Sequence, residues 1–328
     1  FADVEAPPPS LTSYIRPEVK RSLWQLINTA GPFALLWYAT YRSLEYSYWL
    51  TLLLAVPTGA FLVRLFIFQH DCGHGSFFPK QSWNNFLGTI LGVLTFTPYD
   101  YWRRTHAIHH ATSGNLDRRD FGDVTTLTVA EYRELSRWRR LGYRVYRHPL
   151  TLFVVGPAYQ FLLKHRLPLD MPWSWKREWR SVMLTNALII GLAVAAAALI
   201  GWSALLKVQL PVILIAGTLG VWLFYIQHQF EDTYWREEPE WNYREASLRG
   251  SSYYDLPPAL NWLTGNIGVH HVHHLCSRIP NYRLHQALAE NEFLQKNVTR
   301  LTLRDSLRCV GFKLWDEETR QMVGFDER

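Results

Sequence analysis

The chain has 328 residues, 48% of them hydrophobic and 15% aromatic, with only 19% charged. That balance excludes a disordered chain, and three cysteines exclude a disulfide-stapled secreted module. The net charge of +6 fits either nucleic acid or an anionic membrane face. The distribution decides for the membrane and against nucleic acid, because long charge-free runs alternate with arginine-rich ones.

In chain order, residues 1–21 read as an N-terminal cytoplasmic tail. Its first ten residues are acidic, carry Pro7-Pro8-Pro9 and lack the basic and apolar regions of a secretory signal. They read as mobile. Residues 22–70 follow as a first transmembrane hairpin. No charge falls between Arg21 and Arg42, and a second apolar run extends from Tyr46 to His70. Residues 71–180 form a polar middle segment of cytoplasmic and interfacial helices. A second hairpin occupies 181–230, with no charge from Ser181 to Leu206 or from Val208 to Phe230. Residues 231–328 close the chain as a cytoplasmic cap.

The short loops at 42–45 and 203–207 are poor in Lys and Arg, whereas 103–147 and 164–180 are dense in both. The positive-inside rule therefore places both termini and the middle segment in the cytoplasm. Trp173, Trp175 and Trp179, interleaved with Lys176, Arg177 and Arg180, read as an interfacial helix. The apolar stretches 81–99 and 149–163 are ambiguous, and both fit interfacial or half-inserted helices. The expected class is an all-α integral membrane protein of four spans with a cytoplasmic helical cap.

Eight of the 13 histidines fall in three patterns: His70-x3-His74, His106-x2-His109-His110 and His270-His271-x-His273-His274 with His271 inside it. On a helix, residues four apart share a face, so an i, i+4 pair can grip one metal ion. Eight ligands exceed the four of a tetrahedral site, and two ions fit the count. Imidazole suits iron, copper, zinc and nickel, so the ligand type leaves the metal open. His228 ends the fourth apolar run at the same face as His70 and is a ninth candidate. His148, His165 and His285 read as ordinary structural histidines, and His271 leans towards an outer role. If the three patterns meet at one site, 81–99 and 149–163 must not cross the membrane. Asp71 and Asn266 lead the candidates for holding the ligands' second ring nitrogens, ahead of Asp100, Glu231 and Asp232.

The runs HDCGHGSFF from His70, WRRTHAIHHATSG from Trp102 and GNIGVHHVHHLCSRIPNYRL from Gly265 resemble the three histidine boxes of the membrane fatty acid desaturases. Their wording is most similar to the acyl-lipid Δ12/ω-3 type. The resemblance implies two non-haem iron ions on the cytoplasmic side, held by His70, His74, His106, His109, His110, His270, His273 and His274. By analogy with stearoyl-CoA desaturases it adds His228. The chain departs from that branch in its first box and in having Phe224 where an asparagine precedes the extra histidine. O2 is then a co-substrate, and the product is a cis double bond in a long acyl chain. A bacterial inner membrane is the implied location. No flavin, nicotinamide or haem motif is visible, so electrons come from an external donor such as ferredoxin or cytochrome b5. The basic run Arg133–Arg147 fits either an acidic carrier or anionic lipid. Alternatives are a diiron lipid or carotenoid hydroxylase or ketolase, and a bis-histidine haem protein for membrane electron transfer.

Overall fold

A computed structural model describes residues 10–119 and 122–326. Most of the expected mobile segment, residues 1–9, lies outside them. Four long helices form the apolar body: α1 (Val19–Arg42), α2 (Tyr48–His74) and, further along, a pair at Lys176–Ile200 and Trp202–His228. Between them come α3 (Gln81–Leu94), α4 (Tyr99–Thr112), β1 (Leu127–Thr128), α5 (Val129–Glu134) and α6 (Arg137–Tyr146). A helical run follows in which α7 (Gly156–Tyr159) is flanked by wider π turns at Thr151–Val155 and Gln160–Lys164. The long pair are then α8 and α9.

Among the described residues, three helices are long and apolar enough to cross a membrane: α2, α8 and α9. The helix α1 has the length, but polar residues such as Gln25, Asn28 and Thr29 leave it less apolar than the other three. The lipid-like surroundings are plainest on α8, whose Ile190, Leu192 and Leu199 point outward, Leu199 86% exposed. In water such a stripe would carry a large unfavourable free energy. The core of the body is α2, which packs against α1, α3 and α9. The 14 residues of α3 rise about 21 Å, short of the roughly 30 Å a spanning helix must cover.

The sequence reading needs correction at two places. Trp173 and Trp175 are not in a separate interfacial helix. They lie in the turn before α8, with Trp173 stacked on Trp179 at 4.6 Å and Arg104 over Trp175 at 3.8 Å. The cap is also not purely helical. After α10 (Tyr243–Arg249) it carries β2 (Tyr253–Tyr254), α11 (Pro258–Leu263), α12 (His270–Leu275), α13 (Leu284–Ala289), α14 (Glu292–Lys296), β3 (Arg300–Leu301), α15 (Leu303–Cys309), β4 (Leu314–Asp316) and β5 (Gln321–Val323). Strand β4 pairs parallel with β1 and antiparallel with β5, and β2 pairs parallel with β3. Strands of two or three residues carry no readable alternation, so only tertiary pairing creates them.

Two buried groups tie the cap down. The Arg147 guanidinium donates to Gln229 Oε1 at 2.8 Å and to the Phe312 carbonyl at 3.0 Å, joining the end of α6 to α9 and the C-terminal strands. Residues 10–18 strap across the far side, where Tyr14 donates to Glu290 at 2.6 Å and Leu11 is buried beside Leu284.

Candidate metal centre

The three histidine patterns sit at the ends of helices that converge: the last turn of α2, the last turns of α4 and all of α12. Closure of α4 on α2 depends on Gly73, where a Cβ would stand 2.8 Å from the Trp102 ring. Trp102 in turn stacks on His106 at 4.5 Å. Tyr99 fixes the register by donating to the Cys72 carbonyl at 2.8 Å.

The nine candidate histidines come together in two adjacent groups. One holds His70, His74, His106, His110 and His273, and the other His109, His228, His270 and His274. Within each, one ring nitrogen per residue lies within 4.8 Å of all the others. Each HxxHH pattern is split between the groups. At 100° per residue, positions i and i+4 lie 40° apart, whereas i+3 and i+4 lie 100° apart. His106 and His110 therefore face the first group while His109 turns to the second. His270 and His274 face the second while His273 turns to the first. The groups touch through His110 and His274, stacked at 4.1 Å.

The donor set fits metal ions. The Nε2 atoms of His110 and His106, and of His273 and His110, stand 3.1 Å apart. Those of His228 and His270 are 3.0 Å apart, and those of His274 and His270 3.1 Å. Two imidazoles bound to one ion about 2.1 Å away would have nitrogens about 3.0 Å apart at a right angle. The Nε2 atoms of His70, His74 and His109 are buried without a hydrogen-bond partner in the protein. Orphaned nitrogens crowded at this spacing are what a cation resolves. Burial, reinforced by neighbouring imidazoles, holds His106, His110, His270, His273 and His274 well below the usual histidine range. They are therefore neutral at physiological pH, with lone pairs available.

The second ring nitrogens show how the rings are aimed. His109 Nδ1 meets Asp123 Oδ1 at 2.5 Å, and His228 Nδ1 donates to the Gly250 carbonyl at 2.9 Å. His70 Nδ1 lies 3.3 Å from Asp71 Oδ1, and Asp71 Oδ2 accepts from the Asn281 backbone and side-chain nitrogens, both at 2.8 Å. Asn266 stands one step further out. Its amide donates to the Asn281 carbonyl at 3.1 Å, and it contributes a left-handed turn, φ 57°. Asp100 pairs with Arg177, and Asp232 accepts from Gln321, both away from the rings.

Sequence reasoning missed Asp123 and Asn281. Asn281 was in view inside the third box, seven residues past His274. Asp123 lies 13 residues past His110 in a loop without periodicity, and nothing local marks it. His271 joins neither group. Its Nε2 donates to the Leu294 carbonyl at 3.2 Å, and burial drops it to about 3. Phe224 packs 5.1 Å from the His109 ring and 5.2 Å from His228, an apolar wall. A cavity of about 10 Å³ beside it is lined by Asp123, His228 and Trp235, room for roughly one water-sized molecule. The Nε2 pairs at 3.0 to 3.1 Å are too close for a porphyrin plane to lie between them.

Fold and site together define a helical membrane protein with paired polyhistidine clusters competent for metal. The sequence profile of the fatty acid desaturase family matches residues 47–303. The chain is 48% identical to a fatty acid desaturase of Bacillus subtilis (strain 168), over 96% of this chain and 89% of that protein. It is 29% identical to an sn-1 acyl-lipid omega-3 desaturase (ferredoxin) of Synechocystis, over 70% and 64%. It is 25% identical to an sn-1 oleoyl-lipid 12-desaturase of Anabaena variabilis, over 75% and 70%. The chain belongs to the fatty acid desaturase family and is an oxidoreductase of that family.

Proposed function

We propose that this chain is an O2-dependent desaturase that introduces a cis double bond into the long acyl chain of a membrane lipid, of the Δ12 type. The observation carrying this reading is the convergence of nine imidazole nitrogens into two touching groups. In it, His70, His74, His106, His110 and His273 hold one non-haem iron and His109, His228, His270 and His274 the other. When bound, the two irons supply the redox chemistry that couples O2 reduction to removal of two hydrogens from neighbouring methylenes.

The chain's own residues do the rest. Neutral imidazoles resist oxidation, and their burial keeps bulk water from the reacting carbons. Asp71 and Asp123 fix ring orientation and place the only carboxylates that touch the ligand rings among the described residues. An acyl chain has no polar handle near the bond that changes, so apolar walls must position it. Phe224 is one such wall beside His109.

The proposed topology has α1, α2, α8 and α9 crossing the bilayer, with α3 and the 149–163 run entering from the cytoplasmic side without crossing. Both termini and the metal centre then face the cytoplasm, in a bacterial inner membrane. Electrons arrive from an external carrier. The cyanobacterial relative whose name specifies ferredoxin supports that class of donor.

The test is expression in a host of defined fatty acids beside H109A, with lipids read by gas chromatography–mass spectrometry and iron by elemental analysis. New double bonds and about two irons per chain are expected for the parent, and neither for the variant. Hydroxylated or oxo products would shift the reading to a hydroxylase or ketolase. A parent that converts nothing although it holds metal, O2 and reductant would overturn it.

A further inference from the structure

The sequence left the basic run Arg133–Arg147 open between an acidic protein carrier and anionic lipid, and the geometry of α6 separates them. At 100° per residue, Trp138, Leu141 and Val145 fall within a 60° stripe, and Tyr143 lies nearly opposite. Tyr143 is the buried member. Its hydroxyl donates to the Lys313 carbonyl at 2.8 Å, which fixes the helix on the cap with a known face outward. The outward face is the apolar one: Trp138 is 82% exposed, Leu141 51% and Val145 55%. Arg137 lies about 40° beyond Leu141 at one edge of the stripe, and Arg139 about 100° beyond Trp138 on the other side, towards Tyr143; both are exposed. Arg140 and Arg144 turn back to the Leu135 carbonyl and the Tyr132 hydroxyl.

An apolar ridge between two arginines is the pattern of a helix lying in a bilayer interface, with the ridge down and the guanidinium groups level with the headgroups. The surroundings set the depth. Directly after α6, the run through α7 exposes Leu150, Val154, Val155, Tyr159 and Leu163. The same run is pinned to the apolar stretch of α9, where Thr218 donates to the Phe153 carbonyl at 2.6 Å and Phe153 packs on Trp222 at 5.0 Å. The outward side of 150–163 therefore belongs at acyl-chain depth beside α9. Helix α6 leads directly into that run, with Val145 at its end and Leu150 just beyond both exposed.

We propose that α6 is an anionic-lipid-binding interfacial helix. Trp138, Leu141 and Val145 insert below the headgroups, and Arg137 and Arg139 bind their phosphates. An electron carrier must then dock on another face of the cap. The inference rests on the membrane placement of α9 given above, and the experiment separates the two.

The full-length protein is placed in nanodiscs of phosphatidylcholine with or without phosphatidylglycerol. An environment-sensitive fluorophore is attached through cysteine at W138C, at L210C on α9 or at E318C in the turn between β4 and β5. Brominated lipid and aqueous iodide are the quenchers. Labels at 138 and 210 are expected to be quenched by bromolipid and shielded from iodide, and the label at 318 the reverse. Each arginine near an anionic surface contributes about a five-fold preference, so R137Q/R139Q should lower the dependence on phosphatidylglycerol roughly 25-fold. Quenching at 210 but not at 138 would overturn the lipid assignment while leaving α9 in the membrane. So would protection of the 138 label by added ferredoxin instead of lipid. Loss at both positions would instead overturn the membrane placement of α9.

Discussion

Removing the Asp123 carboxylate is the sharpest test of how the second histidine group works. Asp123 is buried, accepts from His109 Nδ1 at 2.5 Å and touches no other candidate ligand, while the first group has its own carboxylate at Asp71. It is delivered by Gly122 at φ 83°, where a Cβ would press on the His109 Cβ at 3.0 Å. Losing such a partner lowers metal affinity about 10- to 100-fold, roughly 1.4 to 2.8 kcal/mol. D123N keeps an acceptor facing Nδ1 and should lie near the low end. D123A leaves a buried N–H unpaired, which adds about 1–3 kcal/mol of destabilisation to the metal-free protein. The assay is iron per chain after graded exposure to a chelator, with Mössbauer spectra of 57Fe-loaded protein. D123A should fall from two irons towards one, with the surviving signal from the five-histidine group. D71A should spare the other signal. Two irons retained at parental affinity in D123A, or an identical loss pattern in D123A and D71A, would refute the reasoning.

Four further outcomes follow from the structure. H228A should lose iron from the four-histidine group and reduce desaturation at least 100-fold. H271A, one residue from a ligand but bonded to the Leu294 carbonyl, should keep both irons by elemental analysis. Stripping the metal should lower the unfolding temperature, since an ion present at 1,000 times its dissociation constant adds about 4 kcal/mol; an unchanged midpoint would argue against a built site. Lys313 is buried against the Arg147 carbonyl at 2.8 Å, and burial pulls it down to about 8. Its unfolded form holds more protons between pH 8 and 10.5, so this residue's share of stability rises with pH across that window. Stability should gain about 2 kcal/mol between pH 7.5 and 10 from this source, and K313M should remove that slope in detergent unfolding measured against pH.

Much of this protein was legible because its signals are local. Apolar runs set the candidate spanning helices α2, α8 and α9, and i, i+4 spacing marked the imidazole pairs. His228, the ninth candidate named from its position at the end of an apolar run, ends α9 inside the second histidine group. The first span remained less distinct, because α1 mixes Asn28, Thr29 and Thr40 with its apolar residues.

The chain by itself determined that three histidine patterns exist, each on a helix and each able to face a metal. Spacing along one helix fixes the angles between its side chains, and that information travels with the sequence. Only the tertiary structure decided how the patterns are shared out, with His109 crossing to the partners of His270 and His273 to those of His106. It also chose Asp123 and Asn281 as the groups behind the rings and turned His271 away. Those choices depend on the relative rotation and depth of α2, α4, α9 and α12, which long-range packing sets and no local periodicity encodes.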